Sequence, residues 1–185
     1  MTKNIGILVG SLRVESYTKK VAKTLASLFP KEYTVSFIEI GDLDIYNQDL
    51  DDNQTVPDSW ETFRHTMESI DAVVFATPEY NRSVPGVLKN ALDVGSRPYG
   101  SSIWDKKPAV VVSVSPGAIG GFGANHHLRQ SLVFLNMPTL QQPEAYIGNI
   151  LDLLEEDGAI TKQGTIDFFQ TIVDAFVVLI EKNSK

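Results

Sequence analysis

The chain has no cysteine among its 185 residues. That absence removes thiol nucleophiles, thiolate metal ligands and disulfides together. Histidine is scarce, with three copies. Two of these, His126 and His127, are adjacent, which on a helix turns them about 100° apart and unfits them to share one metal ion. No metal site is expected. The dipeptide Gly-Lys does not occur, so there is no Walker A loop, and the first glycine-bearing turn lacks G-x-G-x-x-G spacing. ATP, GTP and the usual Rossmann mode of dinucleotide binding are therefore disfavoured. No apolar run reaches bilayer length, and the N-terminal apolar segment has strand length without a small-residue cleavage pattern. No linker-like tract or internal repeat interrupts the sequence. A net charge of -7 and a pI near 4.9 oppose attraction to nucleic acid or anionic membrane. The expectation is one cytoplasmic domain, residues 1–185, with neither nucleic acid nor membrane as a partner.

What is present is an alternation. Apolar runs at residues 5–9, 35–40, 72–76, 109–114 and, weakly, 138–140 are separated by helical patterns near 16–29, 59–70, 84–96, 123–135 and 165–182. Runs such as Ala72-Val73-Val74-Phe75-Ala76 are apolar at consecutive positions, as in parallel strands covered on both faces. The order predicts an α/β fold: a flavodoxin-like, doubly wound parallel five-stranded sheet with helices on both faces. Residues 42–57 and 152–164 read as surface connections. In the last helix, Ile166, Phe169, Ile172, Val173, Phe176 and Ile180 recur at helical spacing, which is a core stripe.

In such a sheet, ligands bind beyond the carboxyl ends of the strands. The loops after the first, third and fourth strands are the candidates. The first, Gly10 to Thr18, carries Ser11, Arg13, Ser16 and Thr18 ahead of a helix, where unpaired N–H groups and the helix dipole attract an anion. Hydroxyls and one guanidinium suit a terminal monophosphate. Ser and Thr at this place also serve as plain helix caps. The second, with Pro78, Glu79, Tyr80 and Asn81, offers a stiff turn, a flat ring and main-chain amides. It also reads as a rigid turn whose Pro85 opens the next helix. The third, from Ser115 through Gly117 to Gly123, permits close main-chain approach to a flat heterocycle, or is mere punctuation.

These stretches resemble a known family. Gly10-Ser11-Leu12-Arg13-x-x-Ser16, Thr77-Pro78-Glu79-Tyr80-Asn81 with Ser83-Val84-Pro85-Gly86 and Leu88-Lys89-Asn90-Ala91, and Gly120-Gly121 followed by Leu128-Arg129 are similar to the NAD(P)H-dependent FMN reductases of the flavodoxin-like superfamily, the branch with quinone, azo and chromate reductases. The resemblance implies FMN as cofactor and NADPH or NADH as co-substrate. It implies two-electron transfer to a small-molecule acceptor such as a quinone, an azo compound, a metal ion or free flavin. Ser11, Arg13, Ser16 and Thr18, the last where relatives commonly carry Asn, would hold the phosphate. Pro78, Glu79, Tyr80 and Asn81 would line the ribityl chain and ring edge, and Ser115 and Gly117 would approach the ring. It implies a homodimer or homotetramer, with Tyr46 and the region of Glu144 near subunit contacts. Gly123 and His126 stand where some tetrameric relatives carry Arg and Tyr, which weighs against the tetramer. A flavodoxin-like electron carrier and a flavin-binding redox-regulatory module are the competing functions.

Overall fold

The computed structural model describes residues 2–184. Five parallel strands, β1 (Lys3–Val9), β2 (Tyr33–Ile38), β3 (Ala72–Pro78), β4 (Ala109–Val114) and β5 (Ala145–Ile147), form one sheet in the order β2-β1-β3-β4-β5. The helices are α1 (Tyr17–Ser27), α2 (Gln48–Asp52), α3 (Asp58–Glu68), α4 (Gly86–Gly95), α5 (Phe122–Phe134) and α6 (Gln163–Asn183).

Two apolar layers sandwich the sheet. On one face Val21 and Leu25 of α1 and Phe169, Ile172, Val173 and Phe176 of α6 pack on Ile5, Ile7, Val74 and Val112. On the other, Trp60 and Phe63 of α3, Leu88 and Leu92 of α4 and Leu128 and Leu132 of α5 pack on Leu8, Phe75 and Val111. Central strands buried on both faces explain why they read as unbroken apolar runs. By length and composition α6 could cross a membrane, the one described helix of which this is true. Its stripe from Phe169 to Ile180 is packed into the core.

Two expectations need correction. The fifth strand is not residues 138–140. Thr139 makes only an isolated bridge to Ala109, and β5 follows at Ala145–Ile147, paired with Val112 to Val114. The connection at 42–57 is not all loop, since Asn47 caps the short α2 by accepting from the Asp49 N–H at 3.1 Å.

Strand order reverses at β1 and β3. The chain leaves β1 to pair with β2 on one side, then crosses to β3 on the other. That switch point opens a crevice at the carboxyl ends of β1, β3 and β4, where the three candidate loops begin.

Candidate functional site

The turn after β1 is held from below. Gly10 donates to the Ala76 carbonyl at 2.8 Å. A Cβ on Gly10 would sit 3.2 to 3.4 Å from Leu88, Pro78 and Pro85, so the first and second loops meet here. Beyond Gly10 the main chain becomes free: the N–H groups of Ser11, Leu12, Arg13, Val14 and Glu15 have no acceptor among the described residues. Ser16 caps α1, its hydroxyl accepting from the Lys19 N–H at 3.1 Å. The N–H groups of Tyr17 and Thr18, in the first helical turn, stay open by geometry. Ser11 and Arg13 border a cavity of about 110 Å³, which Lys19 also lines. The Arg13 guanidinium lies 5.3 Å from the centre of the Tyr17 ring and is exposed. Ser16 and Thr18 do not line that cavity; Thr18 is buried on the inner stripe of α1 with Val21, Ala22 and Leu25.

The second loop is a two-residue hairpin. Tyr80 and Ser83 exchange both main-chain hydrogen bonds, at 3.1 and 3.0 Å. Asn81 and Arg82 between them have φ of 50° and 65°. Asn tolerates this left-handed conformation and Arg less so, which stores strain of about 1–2 kcal/mol at a candidate ligand loop. The N–H groups of Glu79, Asn81 and Arg82 have no acceptor among the described residues, and Tyr80 is 44% exposed. The Glu79 carboxylate turns instead toward α5, accepting from the Ala124 N–H at 3.2 Å and pairing with the exposed Arg82. A Cβ on Gly123 would lie 2.8 Å from the Arg82 carbonyl oxygen and 2.9 Å from Glu79 Oε2. Gly123, expected only as a departure from tetrameric relatives, is therefore a close-contact point between loop and helix.

The third loop is braced rather than slack. Ser115 donates its hydroxyl to the Gly117 carbonyl at 2.9 Å and accepts from the Gly117 N–H at 3.1 Å. Its N–H reaches the Ile147 carbonyl, and Asn149 donates to the Gly117 carbonyl at 3.2 Å. The polar groups of Ser115 and Gly117 are thus engaged within the protein. Among the described residues the N–H groups of Ala118, Ile119 and Gly121 find no acceptor, and the first two were not candidate site residues. Gly120 and Gly121, at φ of 64° and 75°, form the left-handed entry to α5. The approach at Gly120 is so close that a Cβ would meet the backbone of Tyr146 at 2.6 and 2.8 Å and the Ile147 nitrogen at 2.9 Å.

Behind the loops a polar network seats α5. Asn125, fully buried, donates to Ser113 Oγ at 3.2 Å. Arg129 donates to Asn125 Oδ1 and to the Leu140 carbonyl, both at 2.8 Å. Asn90 accepts from the Tyr46 N–H at 2.8 Å and donates to the carbonyls of Leu43 and Asp44, pinning the segment after β2. Tyr46 stacks on Trp60 at 5.2 Å, and its buried hydroxyl meets no hydrogen-bond partner within normal geometry among the described residues. His126 and His127 separate as expected: His127 meets Ser83 Oγ and His126 meets the Tyr146 hydroxyl, each at 3.0 Å. Tyr146 donates to Glu144 at 2.8 Å, and burial followed by this bond raises its pKa to about 12.

The arrangement is a doubly wound sheet whose three adjacent loops offer unpaired N–H donors at the carboxyl ends of β1, β3 and β4. Such donors, with a guanidinium at one end and an exposed ring beside the other, fit a flat ring carrying a phosphate tail; this is the flavodoxin-like class of flavin-binding protein. Residues 3–152 match the family described as NADPH-dependent FMN reductase, and the chain belongs to that family. It is 54% identical over 180 residues to a quinone reductase of Pseudomonas putida, covering 97% of this chain and 96% of that protein. A 2-hydroxy-1,4-benzoquinone reductase of a Burkholderia species is 39% identical over 180 residues, with 97% of each covered. Among solved structures, the flavoenzyme NAD(P)H:(acceptor) oxidoreductase FerB of Paracoccus denitrificans superposes with a TM-score of 0.90 at 41% identity, covering 98% of both chains.

Proposed function

We propose that the enzyme holds the FMN phosphate in the turn after β1 and the isoalloxazine across the loops after β3 and β4, and that quinones are its main electron acceptors. Bound FMN supplies hydride acceptance from the nicotinamide and hydride donation to the acceptor. The protein's part is binding, orientation and electrostatics. The observation that carries this reading is the set of unpaired N–H groups on the three loops. Five from Ser11 to Glu15, three from Glu79, Asn81 and Arg82, and three from Ala118, Ile119 and Gly121 have no acceptor among the described residues.

Each residue has a task. Ser11 and Arg13 hold phosphate oxygens, Arg13 through charge-assisted bonds. Ser16 keeps its acceptor role as the cap, which leaves its one O–H free to donate, while Thr18 contributes its N–H more than its buried hydroxyl. Pro78 and Asn81 shape the ribityl and ring edge, Glu79 contributes its N–H, and Tyr80 a flat face. Ser115 and Gly117 act as the brace that presents the Ala118 and Ile119 amides. N–H donors fixed at the pyrimidine edge stabilise negative charge that develops there, as in an oxyanion hole. No side-chain nucleophile is needed.

Azo compounds, metal ions and free flavin belong to the same proposal as further acceptors, because a stacking site with few polar demands admits many electron-poor partners. So do residues 1–185 acting as one domain, a homodimeric state and a cytoplasmic location. The test is a titration of the apoprotein with FMN followed by steady-state oxidation of a nicotinamide nucleotide with a benzoquinone. Quenched flavin fluorescence and flavin-dependent turnover are expected. Unquenched fluorescence overturns the proposal, and flavin binding without turnover by free nucleotide favours an electron carrier.

A further inference from the structure

A groove of about 360 Å³ lies between the carboxyl end of β2 and α3, within the size range of about 300–1,000 Å³ of small-molecule clefts. Phe37, Leu43 and Phe63 give it apolar walls, and Glu39, Asp42 and Asp58 give it carboxylates, with no Lys, Arg or His among the lining residues. None of the three carboxylates forms an ion pair among the described residues. Asp58 opens α3, where it complements the helix dipole; Glu39 and Asp42 have no such use.

The groove adjoins the first loop. Phe37, Ile38 and Glu39 line both it and the smaller cavity bordered by Ser11, Arg13 and Lys19. Strands lie about 4.8 Å apart, so the path from the gap between β3 and β4, over β1, to β2 is roughly 12 Å. An extended dinucleotide with its nicotinamide above the ring site covers that path. With Arg13 left to the FMN phosphate, the dinucleotide's pyrophosphate then passes Lys19, which lines the same cavity as Glu39, and its adenosine reaches the groove.

We propose that this groove receives the adenosine end of the nucleotide and that Glu39 and Asp42 select NADH over NADPH. The inference rests on the FMN placement proposed above. Carboxylates accept hydrogen bonds from ribose hydroxyls, whereas a 2′-phosphate brings roughly 1.5 to 2 further negative charges into a groove that already holds three carboxylates. Apolar walls suit the purine ring.

The test compares NADH with NADPH as reductants of the FMN-loaded enzyme, and titrates NAD⁺ and NADP⁺ calorimetrically into both apoprotein and FMN-loaded protein. The enzyme is expected to favour NADH at least tenfold in kcat/KM and to bind NAD⁺ at least tenfold more tightly than NADP⁺. Asp42→Asn narrows the preference, and the double variant Glu39→Gln/Asp42→Lys brings the two nucleotides to parity or reverses their order. Because the discrimination is electrostatic and exposed, it shrinks as ionic strength rises from about 0.01 M to about 1 M, where the screening length falls from about 30 Å to about 3 Å; a steric filter would not respond. Equal affinity for NAD⁺ and NADP⁺, or a preference that the variants and salt leave unchanged, overturns the proposal whether or not FMN binds. Failure to bind FMN overturns the placement instead.

Discussion

The carboxylate of Glu79 accepts a hydrogen bond from the backbone N–H of Ala124 at 3.2 Å, joining the loop after β3 to the first turn of α5 across 45 positions of sequence. The bond satisfies one of the orphan donors of α5 and places a negative charge at the positive end of its dipole. It also fixes the spacing of the second and third loops. Glu79→Ala is expected to destabilise the fold by about 1–2 kcal/mol and to weaken FMN binding several-fold, and Glu79→Gln by less, since its amide oxygen still accepts. Denaturant unfolding and a flavin titration on both variants check this; equal flavin affinity in wild type and Glu79→Ala would separate the bond from the site.

Arg13 makes no ion pair in the structure, which leaves it available to an incoming anion. Arg13→Ala should cost FMN binding about 1.5–3 kcal/mol, the range of a hydrogen bond to a charged group. Arg13→Lys should recover only part of the loss, because an ammonium lacks the planar fork. Fluorescence titration measures both.

At Gly120 the constraint is steric. Its φ of 64° and the Tyr146 backbone 2.6 Å from any Cβ leave no room for a side chain. Gly120→Ala is expected to lower stability by about 2 kcal/mol or more and to displace the third loop. Thermal unfolding reports the first effect and flavin affinity the second, whereas Gly86→Ala, with nothing near its Cβ, serves as the tolerated control.

Two tyrosines set the alkaline limit. Burial, then hydrogen bonds to Glu181 and Glu144 respectively, raise Tyr33 and Tyr146 from 10.0 to about 12. The folded state therefore favours the neutral phenols, and their contribution is complete below pH 10 and lost as pH climbs from about 10 through 12. Unfolding measured across that window should show a fall in stability that Tyr33→Phe and Tyr146→Phe each flatten. An unchanged slope in both variants would assign the fall to other groups.

The central sheet was legible because β1, β3 and β4 are buried on both faces and so read as apolar runs with helices between them. The edge was not. β5 is three residues long and is defined by pairing to Val112, Ser113 and Val114, a long-range relation with little local signature, while residues 138–140 form only a bridge. In the site, residue types announced the loops but not which atoms stay free. The Glu79 carboxylate and the Ser115 hydroxyl are spent on α5 and Gly117, and the open amides of the third loop fall on Ala118, Ile119 and Gly121. Those assignments depend on partners brought near only by the fold. The groove beside α3 was invisible for the same reason, since Glu39, Asp42 and Asp58 sat in what read as a strand end, a connection and the approach to a helix.

Gly148 has a consequence for the apoprotein. The exit of β5 passes so near the third loop that a Cβ there would lie 2.4 Å from the Ala118 carbonyl oxygen. The surface proposed to meet the ring thus hangs from the shortest strand, at one edge of the sheet, where local opening is least costly. Cofactor occupancy and the integrity of this margin are then expected to be thermodynamically linked: hydrogen exchange with and without FMN should show slowing at Ala145 to Ile147 greater than at β1, and equal slowing at both would separate the two.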